Sequence, residues 1–164
     1  MTGEEAETLA RSLFLDDRHN FGCAETVFIV LKHAFELPDP DDPSAAMAFN
    51  GGVAYSGGIC GVIAGSAVAV GLLAARKIPD HVGAKRTTQE IIGQLMTDFR
   101  EEFGAVDCRT LIGRDIRTPE QHRAFLDSGV WRDVCMRQIV FAVRRLAELP
   151  DAAVWSSGAC LIRT

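Results

Sequence analysis

Cys23, Cys60, Cys108 and Cys135 are the residues of this chain best equipped for chemistry. Each stands alone, without a Cys-x-x-Cys pair, so a shared site has to be assembled by the fold rather than by local spacing. The thiolate, not the thiol, attacks electrophiles and binds metals, and a helix N-terminus or a nearby cation lowers the pKa that creates it. Cys23, Cys60 and Cys108 all fall at loop-to-helix junctions beside Asn, Gly or Asp, and Arg109 sets a cation next to Cys108. Cys135 sits on the apolar face of a helix. Free cysteine also serves as a small core hydrophobe, but filler belongs in helix middles, where only Cys135 is expected. Asp107 is a natural cap for the turn carrying Cys108, and Asp107 and Asp133 are both close enough in sequence to tune charge.

The elements that must position these thiols read as helices. Residues 4–16 put Ala6, Leu9, Ala10, Leu13 and Phe14 on one stripe, with Glu4, Glu5 and Glu7 early in the helix. After a break at 19–22, the apolar spacing Ala24, Val27, Phe28, Leu31, Phe35 is helical again, and Asn20 is the expected N-cap. Residues 37–43 are a Pro/Asp loop, followed by a short helix over 45–49 and a Gly-rich run into Cys60. Residues 84–103 align Ile91, Ile92, Leu95, Met96, Phe99 and Phe103, with Gly104 as the stop. Thr118-Pro119-Glu120-Gln121 has the form of a capping box with Pro at the first helical position. A last helix over 130–149 carries Cys135, Ile139, Ala142 and Leu146 inward. No segment alternates at period two, so the expected fold is all-α, a compact bundle around a central Gly/Ala-rich helix.

That central helix falls in residues 57–75, which contain no charge. The length suits a membrane span, and Gly57, Gly61 and Gly65 repeat the small-xxx-small spacing. Its Gly, Ala and Ser content keeps the hydropathy modest, and the interfacial flanks are sparse. A core helix is therefore expected, with the glycines allowing a neighbouring backbone or cofactor to approach.

At 164 residues, 48% apolar and 24% charged, the chain fits a single helical domain over residues 1–164, with a tail from 150 to 164. A net charge of −5 without a basic cluster argues against nucleic-acid partners. Five cysteines are too few for a disulfide scaffold. The acidic start lacks a secretory signal, so a cytoplasmic location is expected. There is no paired-carboxylate, Ser–His–Asp or phosphate-loop constellation.

Four stretches resemble, in order, the family named for putative redox-active proteins, defined by a lone Cys, a Cys-Gly-Ala-x-x-Gly motif and two further lone Cys. They are Gly22-Cys23-Ala24-Glu25-Thr26-Val27, Cys60-Gly61-Val62-Ile63-Ala64-Gly65 (with Val62 where the family has Ala), Cys108-Arg109-Thr110-Leu111-Ile112-Gly113, and Cys135. The resemblance covers about residues 5–147 and implies a helical redox domain. It also implies a distant similarity to the cysteine-bearing part of split-Soret cytochromes, where an iron–sulfur cluster is implied. No CxxCH occurs, so covalent haem is not expected.

Three chemistries follow. Four thiolates could hold an iron–sulfur cluster for electron transfer. Two of them could cycle through a disulfide, or all four could bind structural zinc, although zinc sites usually contain a closely spaced pair. On the first reading Cys23, Cys60, Cys108 and Cys135 are the metal ligands, Gly61, Gly65 and Arg109 adjoin the cofactor, and a redox partner protein is expected. A homodimer is a further option. A helical interaction module with filler cysteines is the non-redox alternative. His19 is a candidate proton partner for Cys23. His33, His81 and His122 are expected on surfaces or loops, Trp131 and Trp155 in packing, and Cys160 in the tail.

Overall fold

The computed structural model describes residues 1–153 and Trp155; Cys160 lies outside the described residues. Helix α1, Gly3–Phe14, starts at a capping box in which the Thr2 hydroxyl accepts from the Glu5 amide and the Glu5 carboxylate accepts from Thr2 N–H. Helix α2 is Cys23–Ala34, and a 3₁₀ segment, Ser44–Phe49, follows the loop. Helices α3, Gly61–Lys77, and α4, His81–Phe103, come next, with α4 ended by Gly104 at φ 80°. The short α5 is Cys108–Ile112, α6 is Pro119–Asp127, and α7 is Val134–Leu146. Among the described residues the only β pairing is a single bridge between Ile59 and Asp107.

Three boundaries differ from the sequence expectation. α4 begins at His81, because the Asp80 carboxylate accepts from the Val82 and Gly83 amides and supplies a cap. The last helical stretch opens as a 3₁₀ turn, Val130–Arg132, before α7. The uncharged stretch is helical only from Gly61, and no helix among the described residues is long and apolar enough to cross a membrane.

α2 and α3 form the middle of the bundle, with α1 and α7 against α2 and α4 against the far side of α3. α2 is buried nearly all round; Val27, Phe28, Ile29, Val30 and Leu31 are each 2% exposed or less. Burying side chains of this size stabilises by about 1.5–3 kcal/mol each before the entropy of ordering them is subtracted. The contact of α3 with α2 depends on two glycines. A Cβ on Gly65 would stand 2.5 Å from the Ala24 carbonyl oxygen, and one on Gly61 2.8 Å from both Cys23 Sγ and the Phe49 carbonyl oxygen. The close approach anticipated for the glycine-rich helix is thus made by the cysteine-bearing end of α2. Phe141 of α7 packs edge-on against Phe99 and Phe103 of α4, with ring centroids 5.7 and 5.3 Å apart.

Candidate functional site at the four cysteines

Cys23 is the first residue of α2, and Gly22 is its N-cap. The expected cap, Asn20, sits outside at φ 53° and does not cap the helix. Its place is taken from across the fold by Asn50. Asn50 Oδ1 accepts from Ala24 N–H at 3.0 Å, while its Nδ2 donates to Glu25 Oε2 at 2.7 Å; the same Glu25 oxygen accepts from Gly22 N–H. Asn50 packs so tightly on Gly22 that a side chain there would overlap its amide. Nothing local to α2 signals this cap, since its provider lies 26 residues from Ala24 in sequence.

After Asn50 the backbone turns left-handed for five residues in succession: Gly51, Gly52, Val53, Ala54 and Tyr55, with φ between 51° and 76°. The last three have side chains, and each costs roughly 1–2 kcal/mol in this conformation. The turn is held by Ala54 N–H to the Ala48 carbonyl at 2.8 Å, Tyr55 N–H to Asn50, and Gly57 and Gly58 N–H to Gly51 and Gly52. Two consequences matter for the site. The Gly51 N–H faces the Cys23 sulfur, and the Tyr55 ring is carried to His122, 4.4 Å between centroids.

Cys60 caps the N-terminus of α3, and Cys108 opens α5 with Asp107 Oδ1 accepting from Thr110 N–H. The two segments are laced together: Cys60 N–H donates to Val106 O at 2.8 Å and Cys108 N–H to Gly58 O at 2.7 Å. Cys135 projects from the inner face of α7. Buried Gln138, one turn on, points its Oε1 at Cys60 Sγ, 3.6 Å away.

The four predicted thiols are therefore brought to one region, with unequal surroundings. Cys23, Cys108 and Cys135 line a single cavity of about 430 Å3, and buried Cys60 stands behind Cys23. The Cys60 thiol adjoins the Cys23 sulfur, and its one proton is shared between Gln138 Oε1 and Cys23; turned to Cys23, and with Gly51 and Ala24 N–H, it holds the Cys23 pKa below the usual thiol value against the opposing cost of burial. The same contact, together with burial, pushes the Cys60 thiol far up. Burial raises Cys108 to about 12 and also raises Cys135, with the Cys23 charge adding to both. Cys23 is the acidic thiol, backed by a neutral partner.

Arg109 is not the source of a thiolate at Cys108. Its guanidinium turns to Asp115, at 3.3 Å, and to the Ser56 carbonyl, and its stem packs on Gly57. His19 stacks on Phe21 and lies 3.8 Å from Asp16, without contact to Cys23. His122, expected on a surface, instead lines the cavity, and burial lowers its pKa. Tyr55 and Trp131 line it too. What sequence reasoning missed was the pairing across the fold, as in Tyr55 with His122 and Gln138 with Cys60.

Among the described residues, no three His, Cys, Asp or Glu side chains are gathered closely enough to hold a single metal ion. The arrangement places one thiol of lowered pKa, Cys23, beside a buried second thiol, Cys60, at the wall of a cavity. No curated protein and no solved structure matches the chain. A family model described as putative redox-active protein (C_GCAxxG_C_C) matches residues 21–149, a span containing Cys23, Cys60, Cys108, Cys135 and Gly61, which packs against Cys23. By that match, over most of its length, the chain belongs to this family.

Proposed function

We propose that the protein is a thiol redox module in which Cys23 and Cys60 cycle between dithiol and disulfide. The contact of the Cys60 thiol with the Cys23 sulfur, at the N-terminus of α2, carries this reading. Cys23 faces the cavity as the nucleophile; Cys60, enclosed behind it, resolves. As the S–S bond forms, two electrons and the Cys60 proton pass to the oxidant, and reduction returns them. Gln138 Oε1, within reach of Cys60 Sγ, is positioned to orient that proton.

One observation favours a second reading, electron transfer through an iron–sulfur cluster. Cys23, Cys108 and Cys135 share one cavity wall and Cys60 adjoins Cys23, which provides the all-thiolate donor set such clusters use. The spacing that fails a lone ion is less restrictive for a cluster, which interposes its own iron and sulfide between the cysteines. On this reading all four thiols hold the group, which supplies one-electron exchange when bound.

Anaerobic purification followed by iron and acid-labile sulfide assays separates the two. Metal-free protein that takes up two electrons per chain at Cys23 and Cys60 supports the dithiol. Iron and sulfide that disappear when the cysteines are replaced support the cluster. Metal-free protein whose thiols do not cycle overturns both.

A further inference from the structure

The cavity beside Cys23 has a wall chemistry that the thiols do not explain. Phe21, Tyr55, His122 and Phe125 give it aromatic surface, as does Trp131, one face of whose ring is covered by the Arg132 guanidinium at 4.4 Å. Its charged lining consists of Asp16, Asp17, Glu25 and Asp127, and no Lys or Arg lines it. Arg18 and Arg132 pair with Asp16 and Asp17, and Glu25 is held by Gly22 N–H and Asn50. Asp127 has no ion-pair partner among the described residues. Burial lowers the pKa of His122 on the same wall.

We infer that this cavity binds a flat, phosphate-free heteroaromatic cation, and that this molecule is the electron acceptor for Cys23 and Cys60. Aromatic faces attract cations through their quadrupoles, and a volume of about 430 Å3 is of the size used for small ligands. Glu25 and Asp127, the lining carboxylates without an ion-pair partner among the described residues, leave the wall net negative, which disfavours phosphates and carboxylates such as those of anionic nucleotides and glutathione-like peptides. The strained turn that carries Tyr55 to His122 is accounted for by the same role, because it sets an aromatic face at the cavity.

The proposal rests on the dithiol reading only for what the bound molecule does, not for its binding. The step balances with no further reactant. The Cys23 thiolate adds to an electron-poor ring carbon, forming a C–S bond. The Cys60 sulfur then attacks Cys23 Sγ; the S–S bond forms, the C–S bond breaks, and its electron pair stays on the ring with the proton Cys60 gives up. A cation, a thiolate and a thiol become a neutral dihydro compound and a disulfide.

Methylene blue, a planar cation that takes two electrons and one proton, serves as the probe. Anthraquinone-2,6-disulfonate is the anionic counterpart. Calorimetric titration into the Cys60→Ser protein, which cannot complete the reaction, measures binding alone. Saturable binding of the cation is expected, weakened roughly 3- to 30-fold by Tyr55→Leu, restored by Tyr55→Phe, and weakened by Asp127→Asn. No saturable binding, equal binding of the anion, or indifference to both Tyr55→Leu and Asp127→Asn overturns the site. Bleaching of the dye by the reduced wild-type protein supports the electron-transfer step. Binding without bleaching keeps the site and overturns the bound molecule's role as electron acceptor, whereas wild-type thiols that do not cycle with any oxidant overturn the dithiol reading, so the two failures are distinct.

Discussion

Gly61 and Cys23 meet so closely that a methyl group at position 61 would stand 2.8 Å from the Cys23 sulfur. The other neighbours of that methyl are the Phe49 carbonyl oxygen at 2.8 Å and Ala24 Cβ at 3.1 Å, and a main-chain oxygen yields little. Gly61→Ala is therefore expected to cost about 1–3 kcal/mol, read by urea unfolding. It should also move the Cys23 sulfur relative to Cys60, read as a changed rate of Cys23 alkylation. Unchanged values for both would mean that the α2–α3 contact is looser than described.

The Cys60 thiol stabilises the Cys23 thiolate, so removing it raises the Cys23 pKa. The pH profile of Cys23 alkylation should shift to higher pH in Cys60→Ala, and less in Cys60→Ser, which keeps a donor. Peptide mapping should find Cys23 modified first in the wild type. If the profile stays in place in Cys60→Ala, the donor role assigned to Cys60 fails.

Cys108 has the opposite linkage. Its folded-state pKa of about 12 lies above the roughly 8.5 expected of an unfolded thiol, so the folded state holds the proton more tightly. The resulting stabilisation is complete below about pH 8.5 and is lost as pH rises toward about 12. Chemical denaturation across this range should show stability falling with alkalinity. Cys108→Ala should flatten the fall in part, since Cys60 and Cys135 are shifted in the same direction.

Asn50 is expected to behave as part of the α2 N-terminus. Asn50→Ala leaves Ala24 N–H and Glu25 Oε2 each without the partner it supplies, at a cost of about 1–3 kcal/mol. Asn20→Ala, at the position the sequence favours as a cap, should lose no cap, because its side chain does not cap the helix, and should cost at most the roughly 1 kcal/mol by which Ala is less at ease than Asn at φ 53°. Thermal unfolding of the two variants checks the contrast.

That contrast also shows where the sequence was legible. The Thr118 capping box, the Gly104 stop and the inward face of α7 are written within one or two turns, so periodicity and capping rules reach them. The placement of Cys23 and Cys108 at helix starts was readable for the same reason. The Asn50 cap and the Gln138 contact with Cys60 join residues far apart in sequence, and nothing local encodes them. The left-handed turn was hidden differently. Gly51 and Gly52 announce it, but Val53, Ala54 and Tyr55 continue it against their own preference, because tertiary hydrogen bonds outweigh local propensity. Arg109 looked like a thiolate partner because adjacency in sequence does not fix side-chain direction, and Asp115 draws it away.

The most direct test of the proposed redox pair, Cys23 and Cys60, is a thiol–disulfide titration of the metal-free protein, with the cysteine-containing peptides mapped by mass spectrometry at each potential. Cys23 and Cys60 should become linked to each other in a single two-electron transition, while Cys108 and Cys135 stay reduced. Oxidation that links Cys23 to Cys108 or Cys135 instead, or that leaves Cys60 a free thiol throughout, would contradict the account.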